Sequence, residues 1–187
     1  SEGDTAGFAE VLSSRFLTLR HLFNKTGDQN YLILAKHTVI ASVEIAQKTD
    51  SSATALPLFN LAKIQEELAE LNEAISSYQQ ALKIMKTNPS AQHNRPGVIA
   101  DMENHLAIAE LKNGDQTAKQ RALDALTRLS QSDEPQYNQD VWISGGYMRL
   151  AQATKKKEYL DQAKVIIDAN PDLILRKAQL EKLSPNL

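Results

Sequence analysis

The feature that most restricts what this chain can fold into is the spacing of its apolar residues. They recur three and four apart almost from end to end, and sustained period-two alternation is missing. That spacing lines one face of a helix and cannot line one face of a strand. In LAELNEAISSYQQALKI, Leu68 to Ile84, the helical run breaks for a few residues and resumes with Ala74, Tyr78, Ala81 and Leu82 on one stripe. So brief a break sends the chain back along itself, and two antiparallel helices result.

The same reading predicts nine helices. Phe8, Val11, Leu12, Phe16, Leu19, Leu22 and Phe23 form the stripe of the first, which stops at Thr26-Gly27-Asp28. The second covers about 30–48. Asp50-Ser51-Ser52 offers caps for a third over about 53–70, with Pro57 near its start, where a missing amide costs least. The fourth runs over about 72–87, with Asn72 as its cap and Glu73 in its first turn. The polar segment TNPSAQHNRPG (87–97) is a loop. A fifth helix over about 96–112 ends at Asn113-Gly114-Asp115, and a sixth runs to about Leu129. After SQSDEPQ (130–136), a seventh covers about 138–154 and an eighth about 157–169, closed by Asn170-Pro171. The hairpins therefore span about 6–48, 53–87, 96–129 and 138–170 of a single domain, 1–187. A ninth helix over about 172–183, in a segment carrying Leu173, Leu175, Leu180 and Leu183 with Leu173 and Leu180 two turns apart on one face, is expected to cap the last pair.

Leu-Ala recurs in the first helix of three pairs, at Leu61-Ala62, Leu106-Ala107 and Leu150-Ala151. Eight residues past each leucine a turn is expected, at Ala69, Gly114 and Glu158, and Leu19 with Gly27 keeps that spacing although Arg20 replaces the small residue. Thirteen past Leu61 and Leu150 stand Ala74 and Ala163, while Ala118 is one residue early. Small side chains let crossing helices approach at the short end of the usual 8–10 Å range. Phe59, Tyr78 and Leu82 then fill the space between successive hairpins.

The segment Leu58 to Pro89 resembles a tetratricopeptide repeat, with Leu61-Ala62, then Ala74-x3-Tyr78-x2-Ala81-Leu82, then a closing proline three residues later than is usual. Residues 102–129 and 146–171 share part of the pattern and 8–48 less of it. The resemblance implies an all-α, right-handed α-α superhelix of about four stacked hairpins, whose first helices line a concave groove for peptides or partner proteins. A divergent helical-hairpin solenoid is the alternative.

Composition narrows the chemistry. With 21 basic and 23 acidic residues the formal charge is −2, so no global basic field points to nucleic acid. Without cysteine there is no disulfide or thiol chemistry. No apolar run approaches the roughly 20 residues that span a bilayer. The chain opens at Ser1 rather than methionine, which suggests a processed segment and leaves the compartment open. Phosphate-cradling glycine loops, His-Glu-x-x-His and nucleophile elbows are missing, so neither cofactor nor metal is expected. Asp101 and His105 share a helix face and suit a surface hydrogen bond better than a metal, since two ligands do not make a site. His21 and His37 lie on neighbouring helices. Lys155-Lys156-Lys157 is a solvated run at a turn. Gly145-Gly146 marks a close helix contact, a late helix start or backbone opened to a ligand.

Transferred onto this sequence, the family's groove-facing slots fall on Leu17, His21 and Lys25, then Phe59, Lys63 and Glu67. The third pair contributes Asp101, Asn104, Ile108 and Lys112, and the fourth Met148, Gln152 and Lys156. The recurring lysines hint at an acidic ligand. Ile108 and Met148 are equally readable as core. The function implied is a non-enzymatic protein- or peptide-binding scaffold. A homo-oligomeric assembly module is the alternative, and an all-helical enzyme using Asp101, His105 and Glu110 is disfavoured because no convergent catalytic set can be named.

Overall fold

The computed structural model describes residues 4–49, 51–88 and 94–184. Nine α-helices follow one another: α1 (Asp4–Thr26), α2 (Gln29–Thr49), α3 (Ala55–Glu67), α4 (Leu71–Thr87), α5 (Pro96–Lys112), α6 (Ala118–Ser130), α7 (Gln136–Thr154), α8 (Lys157–Ala169) and α9 (Ile174–Leu183). A 3-10 turn, Ser51–Thr54, leads into α3. No strand forms among the described residues. The Phe8 side chain, Asp50 and Pro89, to which the sequence assigned a stripe position, a cap and a repeat-closing role, lie outside the described set.

Each helix packs most extensively on a neighbour in sequence: α1 on α2, α3 on α4, α5 on α6, α7 on α8. Contacts gather into two compact units, Ser1–Asn94 and Arg95–Leu187. In the first, α2 joins the pairs by packing on α3. In the second, α7 packs on both α5 and α6, and α9 lies on α8 and α7. Leu173 and Leu180 are buried there as a cap requires, Leu183 is half-buried, and Leu175 faces solvent.

The turns inside the hairpins explain the brevity of the breaks. Gly27, Ala69, Gly114 and Lys155 all have positive φ, at 74°, 61°, 107° and 58°. At Ala69 the amide donates to Glu66 O and the Glu70 amide to Gln65 O; at Gly114 the amide donates to Leu111 O and the Asp115 amide to Glu110 O. This is the paired closure of a helix end by one left-handed residue, which satisfies carbonyls that would otherwise be orphaned. Two expectations need correcting here. Asn72 is not a cap: the closure is complete at Glu70, whose carbonyl already accepts the Ala74 amide, so α4 begins at Leu71. The fourth turn sits at Lys155-Lys156 rather than Glu158, because the left-handed Lys155 closes α7 by donating to Ala151 O, and Glu158 falls in the first turn of α8.

Close crossings use the small residues expected of them. Ala62, Ala74, Ala151 and Ala163 have no exposed surface, and Ala107 and Ala118 are buried. Tyr78 is wholly buried with its ring 5.6 Å from that of Phe59, and its hydroxyl donates to Glu66 Oε2 at 2.9 Å. A side chain so placed contributes about 1.5–3 kcal/mol of burial. Val11 departs from its assigned stripe, being 61% exposed.

α7 runs unbroken through Gly145-Gly146, so a late helix start is excluded. A Cβ on Gly146 would stand 2.5 Å from Leu126 Cδ2 and 2.9 Å from Asn104 Oδ1, and one on Gly145 would stand 2.6 Å from the Arg176 guanidinium. Both glycines make room for neighbouring side chains. The cost of about 1 kcal/mol each in helix propensity is offset by that approach.

Candidate functional site: the polar faces of the first helices

In the first unit the candidate surface belongs to α1 and α3. Leu17, His21 and Lys25 are four apart on α1 and all exposed, Leu17 at 63%. On α3, Phe59 is buried and Lys63 Nζ sits 4.0 Å from the centre of its ring, a cation over an aromatic face. Glu67 is reached by Arg20 of α1, whose guanidinium also lies 5.8 Å from the Phe16 ring. The residue that broke the small-residue pattern therefore ties two first helices together. Lys36 of α2 makes a second tie, at 2.7 Å to Glu70 Oε1. His21 and His37 are both exposed.

In the second unit the face of α5 meeting α7 carries a buried polar cluster. Asn104 has no exposed surface; its Nδ2 donates to Ala122 O at 3.0 Å, and its Oδ1 accepts from Arg149 Nη2 at 3.0 Å. Asp101 Oδ1 lies 3.9 Å from both Arg149 Nη2 and His105 Nε2. Asp101 and His105 are buried rather than at the surface where the sequence put them, because α7 packs over this side of α5. Burying these charges without one another would be costly, and Arg149 is what makes the arrangement tolerable. Gly146 supplies the space for Asn104. Ile108 and Met148 belong to the apolar core of this unit. Lys112, Gln152 and Lys156 remain exposed, and Lys156 Nζ stands 3.6 Å from Glu158.

The slots thus divide by depth. The slots nearest the start of α3, α5 and α7 (Phe59, Asp101 with Asn104, Met148) are buried, and the last (Glu67, Lys112, Lys156) is exposed. Arg20 and Arg149, the two residues that knit the first helices, had no place among the sequence-derived site residues. The only signal for either was an arginine beside the leucine that marks the repeat.

A third cluster closes the turn from α5 to α6. Asp115 accepts from the Thr117 hydroxyl at 2.6 Å, from the Thr117 amide at 2.9 Å and from Arg121 at 2.8 Å. The Thr117 hydroxyl first, then Arg121, draw its carboxyl down from the ordinary 3.8 to about 2. Arg121, which also donates to Glu110, is raised by those two carboxylates. Burial beside Tyr147, whose ring stacks 6.5 Å away, pushes the Tyr159 phenol up. These groups fasten the hairpins. Among the described residues no three of His, Asp and Glu converge to hold a metal ion. No helix among them is long and apolar enough to cross a membrane.

Compared with known proteins, the chain matches no family model, and no curated protein is significantly similar to it.

Proposed function

We propose that this chain is a non-enzymatic scaffold of tetratricopeptide-like hairpins that binds a protein or peptide on the exposed faces of its first helices. The observation that carries the reading is the α1 face, where Leu17 stands 63% exposed among His21 and Lys25 while Arg20 fixes α1 against α3. A large apolar side chain on a held helix is a suitable anchor, and the charged rim around it sets the approach of a partner. Lys112, Gln152 and Lys156 offer a basic and amide-bearing surface in the second unit, suited to an acidic segment. Asp101, Asn104, Ile108 and Met148 are buried in this unit and do not present themselves to a partner.

Screening the full chain against a displayed peptide library tests this. Leu17→Asp should reduce capture of selected peptides at least about tenfold, a loss typical of a buried apolar anchor, without changing helix content. Lys83→Ala and Glu181→Ala, both at exposed positions, should change nothing. Capture that survives Leu17→Asp overturns the assignment. A homo-oligomeric reading draws support from Val165, Ile174 and Leu175, exposed on α8 and α9. Light scattering across concentration would show it as a rise in mass. An enzyme using Asp101, His105 and Glu110 is the least supported reading, since the first two are buried and Arg121 occupies the third.

A further inference from the structure

The turn from α5 to α6 holds a chemically reactive pair of residues. Of the asparagines in this chain only Asn113 precedes a glycine. Both residues are exposed, and a Cβ built on Gly114 would meet nothing within 4 Å, so the main chain there stands open to water. Every other asparagine is followed by a residue whose side chain or proline ring shields its backbone nitrogen.

Asparagine is thermolabile for a chemical reason. The amide nitrogen of the next residue, once it has lost its proton, can attack the carboxamide carbon Cγ. A five-membered succinimide closes through the new C–N bond, and the side-chain nitrogen leaves as ammonia with a proton taken from water. A second water molecule then opens the ring. Cleavage at Cγ gives aspartate; cleavage at the main-chain carbonyl carbon gives isoaspartate, in which the backbone runs through Cγ. Water is the only co-reactant, and glycine is the residue that obstructs the attack least.

The folded turn controls the first step. Asn113 holds φ −82° and ψ 4°, far from the ψ that ring closure requires. The Gly114 amide that would attack donates to Leu111 O at 3.1 Å, and the Asp115 amide completes the closure on Glu110 O at 3.0 Å. Both bonds lie at a helix end, where opening is local and costs far less than unfolding. Arg121 fastens them from outside, holding Asp115 of the turn at 2.8 Å and Glu110 of α5 at 2.6 Å. We propose that Asn113 is a site of spontaneous deamidation, that opening of this turn sets its rate, and that Arg121 restrains it. The product undoes the turn that delayed it. Isoaspartate adds a methylene to the main chain between the bonded residues. Either product places a new carboxylate at the C-terminal end of α5, where the helix dipole disfavours negative charge. The proposal is independent of the scaffold reading.

The test is incubation of the full chain at neutral pH, sampled by peptide mass spectrometry, with amide hydrogen exchange on a parallel sample. The peptide carrying residue 113 should show the mass gain of an amide becoming an acid, with isoaspartate exceeding aspartate, and no other asparagine should convert as fast. Conversion should accelerate as pH rises, because the attacking nitrogen must lose its proton. Arg121→Ala should speed deamidation and Gly114 amide exchange by the same factor, about two- to fivefold for a partly exposed ion pair. Glu110→Gln weakens the same tie and should act in the same direction. Asn113→Gln, which would have to close a six-membered ring, should abolish the conversion with helix content unchanged. Three results would overturn the proposal: residue 113 intact in the native chain while a urea-unfolded sample converts, faster loss at another asparagine, or a deamidation rate indifferent to both turn variants.

Discussion

In the first unit, α1 and α3 are joined by Arg20 and Glu67, whose side chains keep 27% and 28% of their exposure. In the second, α7 and α5 are joined by Arg149 and Asn104, and Asn104 has none. Both units place an arginine between two first helices, but water competes more for the first tie than for the second, where Arg149 keeps 18% of its exposure and Asn104 none. Partly solvated ion pairs contribute about 0–1 kcal/mol, whereas breaking a buried polar pair strands its partner at a cost of several. The difference extends to the backbone. Gly146 is the one position where Asn104 and Leu126 leave no room for a side chain, so the second unit gains its tie by giving up tolerance. The matched turns differ likewise. Glu70 reaches back to Lys36 of the preceding pair, while Asp115 turns inward on Thr117 and Arg121 of its own hairpin.

Breaking the second tie should have the largest effect. Asn104→Ala leaves the Ala122 carbonyl and the Arg149 guanidinium without their partner and should cost about 2–4 kcal/mol. Gly146→Ala should cost about 1–3 kcal/mol through overpacking, whereas Gly145→Ala, meeting only the far end of Arg176, should fall within about 1 kcal/mol of neutral. Hydrogen exchange should localise these losses to residues 95–184. Equal losses in both units would collapse the comparison. Small-residue crossings should behave alike in the two: Ala62→Leu and Ala151→Leu should each destabilise by about 1–3 kcal/mol, with Lys83→Ala, on the exposed face of α4, as the silent control in thermal melts.

Smaller effects sharpen the contrast between the turns. Ala69 holds a left-handed conformation that costs a residue with a Cβ about 1–2 kcal/mol, partly offset by the greater chain entropy of glycine. Ala69→Gly should therefore raise stability by about 0.5–1 kcal/mol in denaturant titration. Asp115, drawn down to about 2, favours the folded state above its ordinary value of 3.8, and that contribution disappears as pH falls from 3.8 through 2. Carbon-detected NMR should give a titration midpoint near 2, moving up towards 3.8 when Thr117 or Arg121 is replaced by alanine.

The packing skeleton was legible in sequence because one residue type answers each requirement. Alanines at 62, 74, 151 and 163 can only mark close contacts, and Gly27 and Gly114 announce left-handed turns. Ala69 and Lys155 fill the same conformational role without the glycine that would announce it; the repeat spacing still put a turn at Ala69, while Asn72 and Glu158 drew the cap and the fourth turn wrongly. Among the candidate slots, burial was not legible from the sequence. Whether a helical slot meets solvent or another helix depends on what packs over it, and no spacing within α5 says that α7 will cover Asp101, Asn104 and His105. Arg20 and Arg149 were missed because charged residues beside a core stripe are ordinarily solvated.

Tight closure of each hairpin also has a kinetic meaning. Because helices that are neighbours in the chain make the most extensive contacts, a pair can assemble after closing only the two- to five-residue gap between them, at small entropic expense and within the microsecond-to-millisecond range of chains dominated by local contacts. The two glycines among the positive-φ residues, Gly27 and Gly114, then act as timing elements. Each favours the reversal before either helix has found its full set of neighbours, so a hairpin leaving the ribosome is able to form before the next has been synthesised.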